Sequence, residues 1–145
     1  QAFSVERRRD INAMPPVSDP RDTVAIYDDS SRTIYLPLSW TGGTAADLSV
    51  LVHEMVHVKQ FEKVGSVYLA HAVRAQKTGG YKYGGWQGMA EKRPGGKRFS
   101  DSNREQQGQI AQDYYDDVLT ADPPSTDEQK QAFEPYIADL QAGIL

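Results

Sequence analysis

The sequence predicts an α+β domain, mainly helical, with a short N-terminal β-hairpin or sheet packed on a long central helix. Three observations carry that expectation. Two runs rich in β-branched and aromatic residues, Thr23–Tyr27 and Arg32–Leu36, flank the turn-prone Asp28-Asp29-Ser30-Ser31. Helix start and stop signals then recur from residue 44 to the end of the chain. Strands followed by helices, with no internal repeat, fit the α+β arrangement. The 145 residues, 39% hydrophobic and 25% charged, suit a single domain over residues 1–145 with a core of its own.

Residues 2–13 are expected to form a short helix anchored by Phe3, Ile11 and Met14, with Arg7-Arg8-Arg9 exposed and Pro15-Pro16 as the stop. The two β-rich runs follow as a hairpin. The clearest helix spans about Thr44 to Lys63, with Thr44 as N-cap, Asp47 three residues on and Gly65 as the stop. A second helix is expected over Ser66–Lys77. Gly79–Gly96 holds seven glycines in eighteen residues, a density that predicts irregular backbone. Tyr81, Tyr83 and Trp86 within it suggest a mobile wall beside a ligand. A third helix fits Asn103–Thr120, halted by Asp122-Pro123-Pro124. A fourth begins near Thr126 with a Thr-x-x-Gln capping box, and Pro135 is expected to kink or divide it.

The net charge of −4 hides a split: residues 1–100 carry an excess of four positive charges and residues 101–145 an excess of eight negative ones. An acidic whole argues against a general nucleic-acid binder. The basic run Lys92-Arg93-Pro94-Gly95-Gly96-Lys97-Arg98 reads instead as a solvated loop answered by the acidic C-terminal third. No apolar run approaches the roughly 18 residues of a membrane span, so no membrane partner is expected. The absence of cysteine excludes disulfides, zinc ribbons and thiol nucleophiles. The chain opens on Gln1 with neither Met nor a signal-peptide pattern, as expected of a processed product or an excised domain.

His53-Glu54-Met55-Val56-His57 matches H-E-x-x-H in the middle of the strongest helix. Residues i and i+4 stand one turn apart on the same face, so two imidazoles can point at one ion. Catalytic zinc takes three protein ligands and keeps a fourth position open, where Glu54 can accept a proton from water. On a helical wheel Leu48, Leu51, Val52, Met55, Val56 and Val58 share one arc, while Ser49, His53, Glu54, His57 and Gln60 share the other. The expectation is an apolar core face and a separate ligand face.

Gln60 and Lys63 stand where a metzincin would continue with Gly and His, which excludes that family. Three residues compete for the third ligand position. His71 is the remaining histidine, isolated in the next expected helix. Glu105 opens the helix after the glycine-rich stretch, where a glutamate would complete a His₂Glu set. Asp113 is the competitor two turns further on. Glu62 is expected on the core side of the motif helix and Glu91 in irregular backbone, so both are weaker candidates.

Three stretches carry a resemblance: Val52-His53-Glu54-Met55-Val56-His57-Val58-Lys59-Gln60-Phe61, Gly79-Gly80-Tyr81-Lys82-Tyr83-Gly84 and Asn103-Arg104-Glu105-Gln106-Gln107-Gly108-Gln109-Ile110. With them the chain resembles gluzincin-type zinc metallopeptidases. More closely, it is similar to the small metallopeptidase-like domains found with bacterial toxin-delivery proteins and injection-system cores. The resemblance implies a zincin-like minimal domain, Zn2+ held by His53, His57 and Glu105, and Glu54 as general base. Gln109 falls where such enzymes often place a second acid that steadies a ligand histidine, and Asp113, one turn later, would substitute for it. Secretion or delivery by a bacterial secretion system is implied as well, with an inhibitor or immunity protein as a partner.

The expected activity is zinc-dependent hydrolysis of peptide bonds by a metal-bound water, with a protein, a peptide or a peptidoglycan cross-link as substrate. Tyr81, Tyr83 and His71 are candidate donors to the developing oxyanion. The alternative is a catalytically inactive, zinc-stabilised binding module.

Overall fold

A computed structural model describes the backbone of residues 4–7, 26–28, 33–36 and 45–47 and the complete residues 48–64 and 80–145. The motif helix α1 (Ala45–Val64) is 20 residues long. It is followed among the described residues by α2 (Gly85–Lys92), a 3₁₀ turn at Phe99–Asp101, α3 (Arg104–Tyr114) and α4 (Asp127–Gln141). A π-helical turn, Tyr115–Leu119, continues α3.

Local chemistry sets these boundaries. Asn103 caps α3: its side chain accepts from the Gln106 backbone N–H, and the Gln106 side chain accepts from the Asn103 N–H. Thr126 and Gln129 form the same reciprocal box at the start of α4. Each box satisfies two backbone donors that a helix start otherwise leaves open. Pro135 lies inside α4 without dividing it. Buried Ala132 and Phe133 before it, and Tyr136 and Asp139 after it, hold both halves to one surface.

Gly79–Gly96 departs from the expected irregular, mobile wall, because residues 85–92 are helical. Gly84 and Gly85 take φ of 101° and 66°, the left-handed region that glycine enters without steric cost. They turn the chain into α2, and Met89 then enters the core with Trp86 packed against it. Glu91 accordingly sits on a helix.

The core joins four elements: Val56 from α1, Met89 from α2, Ile110 and Ala111 from α3, and Phe133 and Tyr136 from α4, with Phe99 of the 3₁₀ turn among them. α1 lies against α3, and α2 against α4. Phe99 and Phe133 are fully buried. Each contributes about 1.5–3 kcal/mol through removal of its side chain from water. Two lysines of α1 reach the end of α4, where Lys59 donates to the Leu140 carbonyl (3.4 Å) and Lys63 to the Gly143 carbonyl (2.6 Å). Cations at a helix C-terminus complement its unpaired carbonyls and its dipole.

Three short strands, β1 (Ser4–Arg7), β2 (Ile26–Asp28) and β3 (Thr33–Leu36), make a sheet of order β1–β3–β2. β1 runs parallel to β3 and β2 antiparallel to it. The helix expected over residues 2–13 is therefore corrected, since Ser4–Arg7 is extended. Pairing with β3 outweighs a weak helical pattern resting on only three anchors.

The expected α+β class is corrected too. Of the residues described in full, 71% are helical and none lies in a strand or sheet. The frame that holds the candidate site is thus helical, and the expected hairpin packed on the H-E-x-x-H helix is not part of it. The physical reason is that the ligand face of α1 is covered by another helix, α3, whose contact with α1 is much larger than that of β2. The helix expected over Ser66–Lys77 and the Thr44 cap lie outside the described residues.

The basic run meets the acidic C-terminal third at one buried carboxylate. Asp139 accepts from Arg93 (2.6 and 3.3 Å), Arg98 (3.2 Å) and the Phe99 backbone N–H (3.2 Å). Arg93 also lies over the Tyr136 ring, 5.1 Å from its centroid. The Arg93 hydrogen bond is the main influence holding the Asp139 carboxyl below the usual aspartate range, against burial. Asp139→Asn is expected to destabilise the fold by about 2 kcal/mol, the scale of a lost hydrogen bond to a charged group. A carboxyl with a depressed folded-state pKa stabilises above its unfolded value, about 3.9, and loses that contribution as pH falls through the folded one. Urea titrations from pH 7 to 2 should therefore show the gap between wild type and Asp139→Asn closing with acidification; a constant gap would contradict this.

Candidate metal centre

Ser49, His53, His57 and Gln60 form a stripe along α1, and all four are buried. The apolar core face and the separate ligand face expected of α1 both turn inward in part: Val56 and Val58 are buried, and so are the two histidines. Met55, from the apolar arc, is 43% exposed, whereas His53 and His57 are each 5% exposed. Glu62, expected on the core side, is exposed. The polar stripe can be buried because α3 meets it with partners of its own, Glu105, Gln107 and Gln112, and with Gly108.

One carboxylate oxygen of Glu105 lies 3.6 Å from Nε2 of His53 and 3.6 Å from Nε2 of His57. The two rings meet edge to face with centroids 4.9 Å apart. Together the three residues offer ligand atoms within 4.8 Å of one another, a buried group that could hold a metal ion. Bonds of about 2.0–2.2 Å at tetrahedral angles place ligand atoms about 3.3–3.6 Å apart, and the spacing of Glu105 from each histidine fits that. Gly108 makes room for this. A Cβ there would stand 2.6 Å from His53 Nε2 and 2.8 Å from its Cδ2.

Behind His57, its Nδ1 is 2.9 Å from Gln60 Oε1. Gln60 donates to Gln107 Oε1 (2.8 Å) and to the Arg104 carbonyl (3.1 Å). Gln60 was expected on the ligand face, but neither its bond to His57 nor any part for Gln107 was foreseen. The available signal was Gln60's place one turn beyond His57 on the same face. Gln109 and Asp113, expected behind the ligands, instead bond to each other (2.6 Å), and Asp113 also accepts from the Tyr83 hydroxyl (2.5 Å). Asp113 is absent from the group that could hold a metal ion. Tyr83 is likewise turned to Asp113, and burial with that hydrogen bond raises its pKa. His71 lies outside the described residues.

Tyr81 does reach the centre. Its ring centroid is 5.7 Å from that of His53, and it remains 53% exposed. Two side chains at the start of α3 hold its segment: Asn103 donates to the Gly80 carbonyl (3.2 Å) and Gln106 to the Lys82 carbonyl (2.7 Å). Burial, then the charges of Glu105 and Glu54, raise the Tyr81 pKa, so it stays a donor at neutral pH.

Glu54 is buried at 8% exposure. Burial raises its pKa, the charges of His57 and His53 work against that, and Glu105 adds to it. For Glu105, burial would raise the pKa, but the His53 and His57 imidazoles 3.6 Å away bring it down to about 2. For His57, burial would lower the pKa, but Glu105 and Glu54 outweigh it and the net shift is upward.

The sequence profile of a family described as "Domain of unknown function (DUF6647)" matches residues 2–83. The chain belongs to that family. The matched span contains His53, Glu54, His57 and Tyr81 and ends before α3, which supplies Glu105. No curated protein and no solved structure matches the chain.

Two expectations follow from this geometry. Gly108→Ala should keep the helical circular-dichroism signal yet weaken metal binding about 10–100-fold, because the new methyl displaces a donor ring; unchanged affinity in a chelator competition would contradict the close approach. The metal-free chain should also show a stability optimum in mild acid. Glu105, depressed, stabilises above about 4.3 and loses this as pH falls toward its folded value. His57, raised, stabilises fully below about 6.5 and loses this as pH rises through its folded value. Thermal melts in chelator across pH 2–9 would refute this if the melting temperature rose steadily to pH 8.

Proposed function

We propose that this chain is a zinc-dependent peptidase in which His53, His57 and Glu105 hold the metal and Glu54 is the general base. One observation carries the reading: two imidazole nitrogens and a carboxylate oxygen converge in a buried site with a second, non-ligating carboxylate beside them. Two nitrogens and one carboxylate make the His₂Glu donor set of hydrolytic zinc sites. Zinc, when bound, supplies the Lewis acidity that polarises a peptide carbonyl and makes water nucleophilic near neutral pH.

The remaining chemistry belongs to the chain. Glu54 takes a proton from the attacking water and passes it to the leaving amide nitrogen, so one water and one peptide bond become a carboxyl group and an amine. Its burial suits it to carry a proton between the two steps, since the desolvated carboxyl holds one more readily than an exposed carboxyl does. Tyr81, protonated and half exposed beside His53, can donate to the carbonyl oxygen as charge develops there. A peptide or peptidoglycan stem, in a secreted or delivered bacterial protein, is the substrate setting suggested by the resemblance.

The test is Glu54→Gln. It should retain one zinc per chain while cleavage of a random peptide library falls about 10²–10⁴-fold. His53→Ala should abolish stoichiometric zinc. A wild type that binds one zinc, gains thermal stability from it and cleaves nothing would replace this reading with a metal-stabilised binding module.

A further inference from the structure

We infer that Gln107 and Gln60 form a one-way hydrogen-bond relay that places the His57 proton on Nδ1 and turns the Nε2 lone pair toward the metal site. The direction is fixed at its far end. Gln107 Nε2 lies 3.2 Å from the Phe99 carbonyl and 3.0 Å from the Ser102 carbonyl. Backbone carbonyls only accept, so the amide nitrogen of Gln107 must face them and its oxygen must face Gln60. Gln60 meets that oxygen at 2.8 Å and the Arg104 carbonyl at 3.1 Å, again two acceptors, so its nitrogen points there. Its oxygen is left against His57 Nδ1 at 2.9 Å, a contact that is favourable only if Nδ1 carries hydrogen.

Reversing either amide would set oxygen against oxygen at two places at once. Gln60 is 0% and Gln107 2% exposed, so solvent cannot repair a reversed bond. A neutral imidazole has one N–H and one lone pair, and with the proton on Nδ1 the lone pair sits on Nε2, the atom that faces Glu105. The two glutamines are thus positioning residues that act through His57. The relay also links the site to the Phe99–Asp101 turn, which Asp139 holds through the Phe99 N–H. For its effect on metal affinity the inference rests on the zinc reading above; for the proton position it does not.

The experiment combines ¹⁵N-histidine NMR with zinc titration against a chelator. In the metal-free wild type, His57 Nδ1 should show the shift of a protonated ring nitrogen, and zinc loading should leave that proton in place. Gln60→Met should give His57 a mixture of tautomers and weaken zinc binding about 10–100-fold, the usual scale for groups that orient a ligand histidine. Gln107→Met should weaken zinc about tenfold alone and add nothing in the Gln60→Met background, because it acts through Gln60. An Nε2-protonated neutral His57 in the wild type, or additive losses in the double variant, would overturn the relay. A wild type that binds no zinc would remove the peptidase reading but leave the nitrogen shift to decide the relay, with no variant needed to fold.

Discussion

The antiparallel seam between α1 and α3 is the contact on which the described structure depends. Ser49 faces Gln112, His53 crosses Gly108, His57 meets Glu105, and Gln60 reaches Gln107 and the Arg104 carbonyl. Helices usually associate through apolar ridges, where neighbouring registers differ little in energy. Here the contacts are polar and desolvated, so a shift of one turn would strand several donors and acceptors away from water. The seam contributes less through net attraction than through the cost of every alternative. Apolar packing, centred on Val56, Ile110 and Ala111, supplies the attraction beside it.

The other elements brace α3 from its far side. Asp139 fixes the Phe99 turn and the basic run to α4. The capping pair Asn103 and Gln106 does two things at once, closing the start of α3 and gripping the Gly80 and Lys82 carbonyls. That double use places Tyr81 beside His53 without any regular structure in its own segment.

Much of this was legible in the sequence, and the parts that were not share a cause. H-E-x-x-H marked His53, Glu54 and His57 because its spacing is geometrically demanding, and the structure sets Glu105 against both histidines. The capping box at Thr126 lies where the sequence suggested it, and α3 starts at Asn103 as expected, with a second box there that had not been foreseen. The roles of Gln60 and Gln107 stayed hidden because a glutamine carries no charge and no distinctive spacing; its role appears only once two helices meet. The same limit applied to α1: its ligand face was legible, but not that α3 would bury it. Glycine count misled at residues 84–92, where two turn glycines precede a genuine helix. At Ser4–Arg7 a strand partner distant in sequence decided the outcome.

The donor set is split between two helices about fifty residues apart in sequence, in a chain without cysteine. An ion bound there would act as a cross-link. It would close a long loop that the unfolded chain otherwise explores freely, much as a disulfide does, and the entropy removed grows with loop length. Unlike a disulfide, such a link can be withdrawn by a competing chelator or by protonation of its ligands, without any redox chemistry. The persistence of this fold would then follow the free-metal level of its surroundings, compartment by compartment.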